Sequence, residues 1–290
     1  MIDFHCHILP AIDDGAVSID ESIAMAKSLS DFGYKTVCCT PHCIKGYYDI
    51  TPQKVREATL MLQADLDNSD IHLELWPGME YMLDEYFSDH AEDLLPLGET
   101  KLVLCEAPPQ AHAGYVHEGL KLIIEKGFVP LIAHPERTQY FYEILSQQMA
   151  GGVSREKTEE QFDTGFERSV SPVSFLKRLF APRATHHAPQ HVEVNPRPGF
   201  LEVCAFQANL GSFTGYYGPQ VQTRAYELLK VGAYNGIASD LHDGGSAQNV
   251  LQRDKLEFNP LLKKLAEFSG IVSDVTNVYP VGAGEQIGLF

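Results

Sequence analysis

Short apolar runs and longer stretches with helical spacing follow one another through most of the chain. Ile2 to His7 reads as an opening strand. From Ser18 to Phe32, Ile19, Ile23, Ala26 and Leu29 recur at the spacing of one helix face, and Gly33 ends the run. Tyr34 to Thr40 predicts a second strand. Thr51 is placed as an N-cap with Pro52 at the first helical position, opening a helix through about Leu66. Ile71–Leu75, Lys101–Cys105 and Phe128–Ala133 predict three more strands. The last two are separated by a helix around Gly119–Lys126 that Gly127 closes.

From about Gln147 to Pro198 the period is lost. This 147–198 segment reads as one long insertion or linker, because ~50 irregular residues are unusual inside a compact domain. The rhythm returns with a strand at Leu201–Phe206, a helix near Val221–Val231, a strand at Asn235–Ser239 and helix-like sequence over Asn259–Phe268. Strand–helix alternation predicts an α/β fold with a parallel sheet, and seven strands suit a barrel better than an open sheet. The expectation is a single domain over residues 1–290 that carries the insertion.

Composition narrows the function. The 290 residues hold 22 basic and 39 acidic side chains, a net charge of −17, with 44% apolar and 21% charged residues. That charge disfavours nucleic acid and anionic membrane surfaces as partners. No apolar run approaches the ~20 residues of a membrane span, and MIDFHCHILP lacks the basic stretch of a secretory leader. A soluble cytoplasmic protein is expected. The six cysteines read as reduced, buried thiols rather than a disulfide framework. None has an arginine six positions on, so the Cys-x5-Arg loop of thiol-based phosphatases is absent.

The candidate chemistry begins at His5-Cys6-His7. Residues i and i+2 of a strand share a face, so both imidazoles should project together, with Phe4 and Cys6 on the other side. Nearly every later strand then runs into a possible metal ligand: Thr40-Pro41-His42, Pro77-Gly78-Met79-Glu80, Glu106, Ala133-His134-Pro135-Glu136-Arg137 and Ser239-Asp240-Leu241-His242. In a parallel barrel all strand C-termini open on one face, which carries the site. His5, His7, His42, Glu80, Glu106, His134, Asp240 and His242 should meet there, with Asp13 or Asp14 from the first loop. That is too many donors for one metal, and nitrogen and oxygen without thiolate suits Mn, Fe or Zn in a catalytic site.

His5-x-His7 followed by Ile8-Leu9-Pro10-x-Ile12-Asp13-Asp14-Gly15, then TPH, PGxE, AHPER and SDxH, resembles the polymerase-and-histidinol-phosphatase (PHP) superfamily. Within it the sequence is most similar to the bacterial manganese-dependent protein-tyrosine phosphatases of capsule and exopolysaccharide operons. The resemblance covers about residues 1–146 and 199–257. It implies a distorted (β/α)7, TIM-like barrel with up to three divalent metals, Mn²⁺ foremost. His5, His7, Glu80 and Asp240 would hold the first metal. Glu80 would bridge to a second, with Glu106 and His134, and His42, His242 and Asp14 would hold a third. Arg137 is implied to bind phosphate. Glu80, as the bridge, and Asp14 are implied to take part in catalysis.

The chemistry is consistent with this. Water shared between two metals becomes hydroxide near neutral pH, and the metals stabilise phosphoryl charge. Arginine matches phosphate bidentately, and a phenolate leaving group needs little acid assistance because the phenol pKa is near 10. The expected substrate is a phosphotyrosine protein, a bacterial tyrosine kinase tail that controls polysaccharide export. Two alternatives stay open: a small-molecule phosphoesterase such as histidinol phosphatase, and a metal-binding regulator with weakened catalysis.

The sequence departs from the family in two places. Where an Asn and a nearby phosphate-holding arginine usually follow the last Asp-x-His, this chain has His242-Asp243-Gly244-Gly245, and the next arginine, Arg253, is the candidate for that role. The insertion is the other departure. Its stretch from Arg168 to Arg197 carries Arg168, Lys177, Arg178, Arg183 and Arg197 against Glu193 alone, a basic segment suited to an acidic phosphorylated tail.

Overall fold

The computed structural model describes residues 1–108, 112–153, 203–254 and 259–266. Most of the 147–198 segment, including its basic stretch, lies outside them. Strand β1 (Ile2–Cys6) pairs in parallel with β2 (Thr36–Cys39), and β2 with β4 (Glu74–Pro77). The chain then pauses at Thr40–Pro41 and at Gly78–Met79, and pairing resumes between β3 (His42–Cys43) and β5 (Glu80–Met82). Cys39 faces Pro77 and His42 faces Glu80, so the offset of 38 residues is unchanged across the break. β2 and β3 are therefore halves of one strand path, as are β4 and β5. The order continues through β6 (Leu102–Glu106), β7 (Val129–Ala133), β8 (Ala205–Asn209) and β9 (Gly236–Ala238), all parallel.

β9 returns to β1. Asp240 N–H donates to the His5 carbonyl at 2.8 Å and His7 N–H to the Leu241 carbonyl at 3.0 Å. Seven strand paths thus form one closed parallel ring, as expected. The third and sixth strands lie later in sequence than expected, at Glu74–Pro77 and Ala205–Asn209. Residues 71–73 are taken up by the exit from a helix, where Ile71 N–H bonds back to the Leu66 carbonyl.

Helices cover the ring. In α1 (Ile19–Phe32), Ser18 caps the N-terminus and Gly33, at φ 115°, closes the C-terminus. In α2 (Pro52–Asn68), the Thr51 side chain accepts from Lys54 N–H, as its sequence signals required. α3 (Ala113–Glu125) starts earlier than expected, because His112 Nδ1 caps it by accepting from Gly114 N–H. α4 (Gln139–Val153) runs past residue 147, into the stretch read as irregular in the sequence. After β8 come α5 (Leu210–Thr214), α6 (Pro219–Lys230) and α7 (Ala247–Val250). Residues 260–266 are helical. No helix among the described residues is long and apolar enough to cross a membrane.

Two apolar layers result. Val37, Cys39, Val103, Cys105, Ile132, Phe206 and Ile237 face the helices, while Ile2, Phe4, Cys38, Leu102, Leu104, Leu131, Ala205 and Ala238 fill the ring. Two inward columns turn polar toward their C-terminal ends: Leu102, Leu104, then Glu106, and Ala205, then Gln207 and Asn209. The apolar plug is thus a floor under a polar mouth. In β1 the alternation slips. Phe4 joins the inner plug and Cys6 the outer layer, so they do not share a face as expected. A register shift between Asp3 and Cys6 absorbs the difference.

Candidate metal centre

At the mouth, donors from six strand ends gather around Glu80, itself one of them and fully buried. Its Oε2 lies 3.0 Å from His5 Nε2 and 3.4 Å from His7 Nε2, and those two nitrogens are 3.0 Å apart. Asp240 Oδ1 stands 3.2 and 3.4 Å from the same nitrogens. The other carboxylate oxygen of Glu80, Oε1, is 3.2 Å from His134 Nε2. His42 Nδ1 is 3.1 Å from Glu80 Oε2 and 3.2 Å from Glu106 Oε1. On the outer side, Asp14 Oδ1 lies 3.5 Å from His42 Nε2 and 3.7 Å from His242 Nε2.

This donor set fits metal. Ligands about 2.1 Å from a shared ion stand roughly 3.0–3.4 Å from one another in octahedral or tetrahedral geometry, the spacing of the His5, His7, Glu80 and Asp240 donors. The buried Nδ1 of His42 has no hydrogen-bond partner although two carboxylates face it. Four groupings, His5–His7–Glu80, His5–His134–Asp240, His42–Glu80–Glu106 and His7–Asp14–His42–His242, each have donor atoms close enough for an ion. His42 belongs to two of them, one through each ring nitrogen, whereas the sequence reading gave it to one.

The backbone is bent to make this cluster. His134 follows β7 directly and Asp240 follows β9 after Ser239, and both have left-handed φ, 33° and 52°. Such residues cost roughly 1–3 kcal/mol each and persist where the surroundings impose them. The turn after His134 brings Arg137 N–H onto the His134 carbonyl at 2.9 Å and swings its guanidinium to the cluster. Gly15 is forced by close approach: a Cβ there would sit 2.1 Å from the His7 carbonyl oxygen.

Charges compensate one another inside the cluster. Burial works against ionising Glu80 and Asp240, but the histidines outweigh it and hold both well below the usual carboxylate range. Burial likewise opposes the imidazolium of His42, yet Glu80 and Glu106 push it up to about 10. His5 and His7 are raised against burial, by Glu80 and Asp240 for the first and by Asp13, Asp240 and Glu80 for the second. Burial and the neighbouring His7 lower His242.

Of the sequence candidates, all nine metal-ligand candidates and Arg137 meet at the mouth. Arg253 does not. One of its guanidinium nitrogens lies 3.1 Å from where a Cβ on Gly33 would be. Gly33 follows α1, on the side where β2 begins, away from the strand C-termini. The turn after Asp243, whose Oδ1 accepts from Ser246 N–H, and α7 redirect the chain before position 253.

Several contributors escaped sequence reading. His5 Nδ1 bonds Gln207 Oε1 at 3.0 Å, and Asn209 Nδ2 donates to Asp240 Oδ2 at 2.5 Å. Their spacing as i, i+2 on a strand was the available signal. Glu136 is buried and structural, accepting from Asn209 N–H, Ser212 Oγ and the Tyr234 hydroxyl. Three further histidines stay away from the mouth: His72 is exposed, His112 caps α3, and His117 pairs with Tyr140.

Residues 1–151 match the family described as "Capsular polysaccharide synthesis, CpsB/CapC". The chain is 42% identical over 141 residues to the tyrosine-protein phosphatase YwqE of Bacillus subtilis, a stretch covering 48% of this chain and 56% of that protein. It is 30% identical over 139 residues to the tyrosine-protein phosphatase CpsB of Streptococcus pneumoniae, covering 47% of this chain and 57% of the relative. The matched stretch thus spans little more than half the length of each of these relatives. A solved structure from work on those two proteins, described as unique metal-dependent tyrosine phosphatases, superposes with a TM-score of 0.66 at 28% identity over 92% of each chain. With residues 1–151, half of its length, matched by that family, the chain belongs to the CpsB/CapC family.

Proposed function

We propose that this protein is a metal-dependent phosphoric monoester hydrolase that removes phosphate from tyrosine side chains of a protein. Its substrate is the tail of a bacterial tyrosine kinase that regulates capsule or exopolysaccharide synthesis. The observation that carries the reading is a buried carboxylate, Glu80, shared by histidines from three strand ends, with the Arg137 guanidinium 2.7 Å from Asp240, which faces the same His5 and His7 nitrogens. Cytoplasmic action goes with the reading, since the six cysteines are buried thiols outside any disulfide and such thiols stay reduced there.

His5, His7, Glu80 and Asp240 would hold the first metal; Glu80, Glu106 and His134 the second; Asp14, His42 and His242 the third. Manganese suits this nitrogen and oxygen set without thiolate. When bound, the metals supply Lewis acidity toward phosphoryl oxygen and a nucleophile from water at neutral pH. Arg137 presents planar donors that match a phosphate. No residue is required to protonate a phenolate leaving group strongly, because its conjugate acid has a pKa near 10.

The test is reloading of metal-stripped protein with Mn²⁺, Fe²⁺, Zn²⁺ or Mg²⁺ singly. Each form is assayed on a phosphotyrosine peptide and on histidinol phosphate. The expected result is no turnover without metal, best recovery with Mn²⁺, and a higher kcat/KM for the peptide. Full turnover by protein shown to be metal-free, or preference for histidinol phosphate, overturns the reading.

A further inference from the structure

Tyr217 lies outside every motif read from the sequence, yet it touches both Arg137 and Asp240. It sits in the turn between Gly215 and Gly218, at φ 86° and 92°, directly after α5. Its ring lies beneath the Arg137 guanidinium, 4.4 Å from ring centroid to Cζ. Its hydroxyl donates to Asp240 Oδ2 at 3.1 Å, the oxygen that also accepts from Arg137 Nη1 at 2.7 Å and Asn209 Nδ2 at 2.5 Å. Gly211 leaves room for the ring, since a Cβ there would come 2.9 Å from Tyr217 Cε2.

We propose that Tyr217 is the positioning residue for Arg137, its ring a shelf that holds the guanidinium at the mouth and its hydroxyl an anchor on the shared Asp240 oxygen. The physical argument is one of freedom lost in advance. An arginine at a mouth has several rotamers, and immobilising such a side chain costs about 0.5–1.5 kcal/mol when a ligand must do it. A ring face under the guanidinium lowers that cost before the phosphate arrives, and the cation–π contact adds to it. With three donors gathered on Oδ2, Oδ1 of Asp240 is left to face His5 and His7. Tyr217 therefore acts through Arg137 on the anion.

This inference rests on the phosphatase reading, so the experiment separates the two. Binding of inorganic phosphate to the metal-loaded protein is measured by titration calorimetry for the natural chain, Arg137→Ala, Tyr217→Phe, Tyr217→Leu and the Arg137→Ala/Tyr217→Leu pair, with metal content on the same samples. Tyr217→Leu is expected to weaken phosphate binding roughly 5- to 30-fold, the range of a partly desolvated cation–π contact. Tyr217→Phe, which keeps the shelf and loses the anchor, should fall between the natural chain and Tyr217→Leu, and the pair should bind no more weakly than Arg137→Ala alone. Unchanged affinity in Tyr217→Leu, or an equal further loss in the Arg137→Ala background, overturns the positioning role while leaving the phosphatase reading intact. Phosphate binding that ignores Arg137→Ala overturns both. If Tyr217→Leu does not fold, Tyr217→Gln, which also lacks a ring, carries the same comparison.

Discussion

His7 donates from Nδ1 to Asp13 Oδ2 at 2.7 Å, and the same oxygen accepts from the His42 backbone N–H at 3.0 Å. A carboxylate held by that network stays ionised, and His7 acts against burial to bring Asp13 down to about 2. Because Nδ1 is spent on Asp13, Nε2 of His7 is the atom turned to Glu80 and Asp240. The adjacent acids Asp13 and Asp14, alternatives in the sequence, thus do different work: Asp13 orients a histidine from behind, and Asp14 faces His42 and His242.

Asp13→Ala should therefore lower metal affinity by about 10- to 100-fold, the usual effect of removing a carboxylate behind a ligating imidazole. Asp13 itself lies outside the donor groupings. Metal titration against a competing chelator measures this, and an unchanged affinity would show that His7 needs no such support.

Gly15→Ala should destabilise the metal-free protein by about 1–3 kcal/mol, as overpacking does, because the new methyl would meet the His7 carbonyl and Cβ at 2.1 and 2.5 Å. Urea unfolding gives the number. Loss of metal in the folded fraction is expected with it, since the backbone that must yield carries a donor.

Arg137→Ala and Glu80→Ala should part company. Losing Glu80 removes a carboxylate that faces His5, His7, His42 and His134, so metal content and activity should fall together. Losing Arg137 should cut turnover of phosphate esters by about 10²- to 10³-fold, the scale of one preorganised donor, with metal content nearly kept. Elemental analysis beside kinetics distinguishes them, and metal loss in Arg137→Ala would remove its assigned role.

Stability should vary with pH through Asp3. Burial, partly offset by hydrogen bonds from Ser239, raises its carboxyl from 3.8 to about 6. The folded protein keeps a proton there that the unfolded chain has already lost, so this contribution is full below about pH 4 and disappears as pH rises to about 6. At 1.36 kcal/mol per pKa unit the loss is about 3 kcal/mol. Asp3→Asn should flatten that part of the profile, measured by denaturant titrations at pH 4 to 7, and an unaltered slope would point to another group.

The cluster's candidate donors were legible because all but Asp14 stand at or just beyond the end of an apolar run. A strand buried on both faces needs no polar residue, so His5, Glu106 and Asp240 at such ends mark one mouth whatever the details of packing. The ring and its parallel order followed from the same alternation. Other features depended on chain geometry that no local pattern encodes. The one-residue slip in β1 sends Phe4 inward, and left-handed turns aim His134 and Asp240. α7 carries Arg253 to Gly33 rather than to the mouth. Tyr217 and Asn209 meet Asp240 from 23 and 31 residues away. Burial pattern is a property of neighbours along the chain and can be read from it, whereas hydrogen bonds onto a single carboxylate oxygen exist only once the strands have closed.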